Sequence, residues 1–152
     1  MALVEIDRVI SHCIDVKEII SESELQSCSG YERDRDLLPF VRLRADRALS
    51  VESKSGLQYI SLEYERFVKS KQRIESKLRD YYQRKRIPAV LYVCESQKVM
   101  RALAKVDSEI SKESGSKLFF SLFSSVIKSD EKVTFSKTDG KKINFKMPEV
   151  AG

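Results

Sequence analysis

Asp46, Glu63 and Glu65 are the side chains of this 152-residue sequence whose type and spacing best suit chemistry. Glu63 and Glu65 are two residues apart, so on a strand they share a face. Leu57 to Glu65 reads as that strand, with Ile60, Leu62 and Tyr64 on one side and Tyr59, Ser61, Glu63 and Glu65 on the other. Lys54-Ser55-Gly56 is a turn signal, which would bring Asp46 back beside Glu63 on a neighbouring strand. Three carboxylates at one sheet edge repel one another unless they are solvated, paired or bridged by a cation. Mg²⁺ and Mn²⁺ favour such oxygen ligands. A metal held there activates a water and stabilises the charge that develops on a phosphate under attack. The same spacing also fits a half-exposed strand whose Glu63 and Glu65 pair with Arg44, Arg47 or Arg66.

Scarcity of other residue types removes competing chemistries. His12 is the single histidine, and no CxxC or HExxH zinc pattern occurs. No GxSxG elbow is present to partner His12 in a triad. Five glycines spell neither GxGxxG nor GxxxxGK[ST], which argues against dinucleotide and P-loop sites. Cys13, Cys28 and Cys94 are odd in number and widely spaced, so a reducing, cytoplasmic setting is expected rather than a disulfide framework. No apolar run approaches the roughly 20 residues of a membrane span, and no secretion signal opens the chain.

Charge is unevenly spread around the net value of +5. Residues 1–36 hold nine acids against four bases, and residues 66–86 hold nine bases against two acids. The basic block, with Arg66, Lys69, Lys71, Arg73, Arg84, Lys85 and Arg86, is an electrostatic footprint for phosphates, or else a solvated helix face. Arg84-Lys85-Arg86 equally suits a helix C-terminus, where cations complement the macrodipole.

The elements that must hold these groups follow from periodicity. Leu3, Ile6, Val9, Ile10 and Cys13 recur at helical spacing, and Asp15 is expected to cap a second short helix carrying Val16, Ile19 and Ile20. Residues 21–36 are Ser- and acid-rich and read as a loop. Phe40–Val51 reads as β. Lys69 to Arg84 reads as a helix with Ile74, Leu78 and Tyr81 or Tyr82 in its apolar stripe. Ala89–Cys94 is a short continuous apolar run, the mark of a strand covered on both faces. Ser96 caps a helix to about Ile110, Leu118–Phe123 is a further strand, and Asp139-Gly140 joins Val133–Ser136 to Lys142–Phe145 in a hairpin. The order α-β-β-α-β-α-β plus a terminal hairpin predicts one α/β domain over 1–152, with a mixed central sheet flanked by helices.

Several segments carry a family resemblance. Residues 44–51 (RADRALSV), 59–66 (YISLEYER), 77–82 (KLRDYY) and 87–93 (IPAVLYV), with the terminal LFFSLF and Thr138-Asp139-Gly140, resemble the plasmid replication-relaxation family. They are closer still to the nuclease domain of MobC-type relaxases, over about residues 3–146. The resemblance implies a restriction-endonuclease-like three-layer core of the PD-(D/E)xK kind, which nicks one DNA strand at a transfer origin with Mg²⁺ or Mn²⁺. The family pattern Asp…Glu-x-Glu falls on Asp46, Glu63 and Glu65 as metal ligands and catalytic groups. The lysine of (Asp/Glu)-x-Lys is replaced by Glu65, and Lys77 on the following helix is expected to stand in for it, ahead of Lys69 and Lys71. Ala45 replaces the proline of the Pro-Asp pair. Glu52-Ser53-Lys54 also spells (Asp/Glu)-x-Lys but runs into the turn, and it is read as a decoy. Relatives carry a winged-helix half ahead of this domain, so origin recognition is expected to lie elsewhere, with relaxosome or coupling proteins as partners. The competing expectation is a DNA-binding accessory of plasmid replication or mobilisation that keeps the fold with a degenerate site.

The remaining polar candidates read as structural. His12 suits a packed or capping role. One of Tyr81 and Tyr82 fills the helix stripe while the other is free to contact phosphate or stack on a base. Tyr64 points away from the carboxylates. Cys94 ends a buried strand as a core thiol.

Overall fold

The computed structural model describes residues 1–27 and 35–149. In chain order the elements are α1 (Ala2–Ser11), β1 (Val16–Ser21), α2 (Glu22–Ser27), α3 (Leu38–Leu43), β2 (Arg47–Ser53), β3 (Gly56–Glu65), α4 (Lys71–Gln83), β4 (Val90–Cys94), α5 (Gln97–Ile110), β5 (Leu118–Leu122), α6 (Phe123–Ile127), β6 (Lys132–Ser136) and β7 (Lys142–Lys146). The architecture is α/β, with one seven-stranded mixed sheet in the order β1 to β7. The β3–β4 and β4–β5 pairs are parallel and all other pairs antiparallel. Parallel neighbours need a crossover, which α4 and α5 supply on a single face of the sheet.

Helices cover both faces. On one, Leu25, Phe40, Leu78, Tyr81, Val99 and Leu103 pack over Val90, Tyr92 and Phe120. On the other, Ile6, Val9 and Ile10 of α1 and Val126 of α6 pack over Leu49, Ile60, Leu62, Leu91 and Val93. Strand alternation sorts side chains between the two cores. All five residues of β4 are buried, as the continuous apolar run predicts for a strand covered twice.

Three local expectations are corrected. Residues 16–21 form an edge strand paired with β2, not a helix capped by Asp15. Val16, Ile19 and Ile20 are β-branched, and sheet pairing decides between two periodicities that a short stretch satisfies alike. Asp15 instead accepts the Lys146 N–H (2.7 Å), and Ile14 N–H donates to the Lys146 carbonyl (2.9 Å), so the link after α1 ties β7 in place. Within the loop expected over 21–36, residues 22–27 are helical, while 28–34 lie outside the described residues. Phe40–Val51 divides into helix α3 and strand β2. Pro39 in the first turn of α3 is compatible with a helix start, and Leu37, Phe40, Val41 and Leu43 are buried along one stripe.

The expected hairpin at 54–56 is present, with Gly56 at φ +108°, where only glycine is unstrained. Ser70 accepts the Arg73 N–H and starts α4, and Ser96 accepts the Val99 N–H and starts α5.

Candidate functional site

Strand register assembles the carboxylates. Arg47 lies opposite Leu62 on the antiparallel β2–β3 ladder, which brings Asp46 level with Glu63 at the strand's start. The Tyr64 N–H donates to Asp46 Oδ2 (2.9 Å), locking the two segments together. Arg44, left-handed at φ 54° and ψ 47°, ends α3 and aims the chain into this contact. Glu63 and Glu65 lie near the end of β3, paired in register with Tyr92 and Cys94 of β4. Asp46, Glu63, Glu65, Lys69, Arg73 and Lys77 all line one cleft of about 310 Å³ between the sheet and α4.

Glu63 is the centre of the site and is only 5% exposed. Its Oε1 accepts a hydrogen bond from the Tyr81 hydroxyl, and Lys77 Nζ stands 3.2 Å away. Ser61 Oγ lies 2.5 Å from the Tyr81 oxygen and extends the chain of hydrogen bonds inward. Burial pushes the Glu63 carboxyl up to about 8, against the pull of Lys77 and the Tyr81 hydrogen bond, while the neighbouring Asp46 carboxylate pushes the same way as burial. Burial first and Glu63 second hold the Tyr81 hydroxyl well above its ordinary range. Burial therefore outweighs the ion pair and favours the protonated carboxyl.

Lys77 is anchored from its other side by the Leu43 carbonyl (3.1 Å), so α3 and β3 share one ammonium. Glu65 is drawn to Lys69 at 2.6 Å. Among the described residues no three histidine, cysteine, aspartate or glutamate side chains are grouped to hold a metal by themselves. Asp46 and Glu63 nevertheless suit a hard cation. They are two adjacent oxygen donors at an open cleft, and the proton forced onto Glu63 is one that a divalent ion would displace. Mg²⁺ commonly takes one or two carboxylates and completes its shell with water and phosphate oxygens.

The basic residues divide between locations. Lys69, Arg73 and Lys77 face the cleft. Arg66 does not line it, and its guanidinium stands 5.1 Å from the ring centre of Phe67. Lys71 turns to Glu75 (3.8 Å) and to Glu109 of α5 (3.3 Å). Arg84 and Arg86 line a separate cavity at the other end of α4, and Lys85 is exposed. The competing arginine pairings of the carboxylates do not form: Arg47 is held by Asp7 (2.9 Å) and Arg44 by Glu22 (3.5 Å). Glu52 of the decoy motif is exposed and meets Lys17 at 3.6 Å.

The other polar candidates take structural places. His12 caps the end of α1, and Cys94 is buried, its thiol pushed up to about 12 by burial first and Glu65 second. Tyr82 donates to Asp107 of α5. The Tyr64 hydroxyl donates to Glu95 (2.5 Å), away from Glu63. Two features of the site escaped the sequence reading. Tyr81 belongs to the core stripe and also contacts Glu63, and its place one turn after Lys77 was the available signal. Phe67 is 67% exposed between the cleft residues Glu65 and Lys69, and only folding shows that it lies uncovered. No family model, curated protein or solved structure matches the chain.

Proposed function

We propose that this chain is a divalent-metal-dependent DNA strand-nicking domain with a restriction-endonuclease-like core, acting at a plasmid or mobile-element transfer origin. The observation that carries the reading is the meeting of Asp46 and Glu63 with Lys77, delivered from α4, in one cleft whose wall adds Lys69 and Arg73. Asp46 and Glu63 would hold Mg²⁺ or Mn²⁺, which when bound supplies Lewis-acid stabilisation and an acidified water. Lys77 takes the place of the lysine missing from (Asp/Glu)-x-Lys. Its ammonium offers positive charge where the scissile phosphate gains negative charge. Glu65 orients the attacking water or adds an oxygen ligand once Lys69 turns to a phosphate. Arg66, Lys69 and Arg73 steady the strand's backbone. Other relaxosome proteins would choose the origin.

Supercoiled origin DNA with Mn²⁺ provides the test. Wild-type protein is expected to yield the open circle, and Asp46→Asn, Glu63→Ala and Lys77→Met to lose about 100-fold or more of that rate, the scale of one preorganised electrostatic group. Nicking that survives Glu63→Ala undiminished would overturn the assignment.

A second reading is favoured by the closure of the site upon itself. Glu63 is satisfied by Tyr81 and Lys77, and Glu65 by Lys69, without any cation. A non-catalytic DNA-binding accessory of plasmid replication or mobilisation would look like this. Calorimetry separates the two: DNA binding that stays salt-sensitive, with no uptake of Mg²⁺ or Mn²⁺ at millimolar concentration, selects the accessory.

A further inference from the structure

We infer that the arginine cavity at the far end of α4 is a second phosphate site, which grips the same nucleic-acid strand several phosphates away from the cleft. Arg35, Arg42, Arg84 and Arg86 line this cavity of about 230 Å³ together with Leu38 and Pro39 of α3. Its four arginines come from two chain segments that are distant in sequence. Their mutual repulsion is eased by solvent and by anions, and the Asp36 carboxylate stands 3.9 Å from Arg86. Arg84 carries the more telling sign. Its Nε is buried and has no hydrogen-bond partner, the one such side-chain nitrogen or oxygen among the described residues. A buried donor left unmatched in a cationic cavity calls for an acceptor from outside the chain. Planar guanidinium forks match the oxygens of a phosphate, and the cavity volume admits one.

Position selects the source of that phosphate. Arg84, the residue that caps the C-terminal end of α4, follows Lys77 by seven residues, about 10 Å along the helix direction at ~1.5 Å per residue. Arg42 of the cavity precedes Leu43, whose carbonyl anchors Lys77 of the cleft, so the end of α3 ties a residue of one to a residue of the other. A spacing of about 10 Å corresponds to roughly three phosphates of a strand at ~3.4 Å each along a duplex axis. Assigning the ligand to a nucleic-acid strand rests on the proposed function. The phosphate site itself does not.

The Arg84 Nε–Hε resonance of the full chain gives a direct readout. Titration with inorganic phosphate at constant ionic strength is expected to move it saturably, in wild type and in Asp46→Asn alike, and Arg42→Gln is expected to weaken that response about tenfold. An unmoved resonance overturns the site. A single-stranded oligonucleotide, followed by fluorescence anisotropy across a salt series, tests the source. The double variant Arg42→Gln/Arg86→Gln, both positions being exposed, should lower the slope of log affinity against log salt by about 1.4, at ~0.7 per lost contact. An unchanged slope with phosphate binding retained overturns the nucleic-acid assignment. Failure of nicking with both responses intact overturns the catalytic reading alone.

Discussion

Burial favours a proton on the Glu63 carboxyl at a pH where a solvated glutamate has lost its own. In the unfolded chain it titrates near 4.5, and in the fold near 8. Between these values the folded state binds the additional proton, so the group's contribution to stability is full below about pH 4.5 and drains away as pH rises through 8. Glu63→Gln, neutral and of equal size, is expected to flatten this decline. Urea unfolding at about pH 5 and about pH 9 should show wild type losing a few kcal/mol relative to the variant, at ~1.4 kcal/mol per pKa unit. Parallel profiles would show that Glu63 is charged throughout. The same proton predicts how a cation binds: Mn²⁺ uptake at about pH 7 should release up to about one proton, and buffers of different ionisation enthalpy will reveal it in calorimetry. Glu63→Gln should remove both the release and the uptake.

Among the elements, α3 and α4 do the positioning. Arg44 adopts a left-handed conformation that costs a non-glycine residue about 1 kcal/mol. Its ion pair with Glu22 is largely exposed and adds little. Arg44→Gly is therefore expected to leave the protein as stable or more stable by up to ~1 kcal/mol in thermal or urea unfolding, whereas Arg44→Val should destabilise it by more than ~1 kcal/mol. At the other end of the site, Ser70→Ala removes the acceptor of the Arg73 N–H and should cost about 1 kcal/mol. That loss frays the turn carrying Arg73, so DNA affinity should fall with it. The C-terminal end of α4 is held differently. Lys117 Nζ donates to the carbonyls of Tyr81, Arg84 (3.2 Å) and Ile87 (3.1 Å), pinning the helix to the start of β5. Burial lowers this ammonium to about 8, so its full charge, and the strongest hold on those carbonyls, is expected below that pH.

The whole molecule depends on β4, the middle strand of the sheet. Leu91 and Val93 serve one core and Tyr92 the other. Leu91→Ala should cost about 3 kcal/mol by cavity formation, measured by urea unfolding. Under the proposed function the helical layer of α4 and α5 would set where DNA lies, because the cleft lies against α4 and the arginine cavity just beyond its C-terminal end. Among the described residues no helix is long and apolar enough to cross a membrane.

Much of this organisation was legible in the residues themselves. The alternation of Leu57–Glu65 sorted Glu63 to one face and Tyr64 to the other, because a strand's side chains alternate whatever surrounds it. Ser96 marked a helix start, and the Gly56 turn fixed the β2–β3 register, since both are local matters of hydrogen bonding and φ. Short segments were not legible in the same way. Val16–Ser21 fits helix and strand periods equally, and its pairing with Val51 and Leu49 settled the choice. Partner choice among charges was likewise undetermined. Any of several lysines and arginines could reach Glu63, and only the packing of α4 against β3 placed Lys77 and Tyr81 there while sending Glu65 to Lys69. The strength of a charge–charge interaction depends on separation and burial, and both are properties of the folded chain.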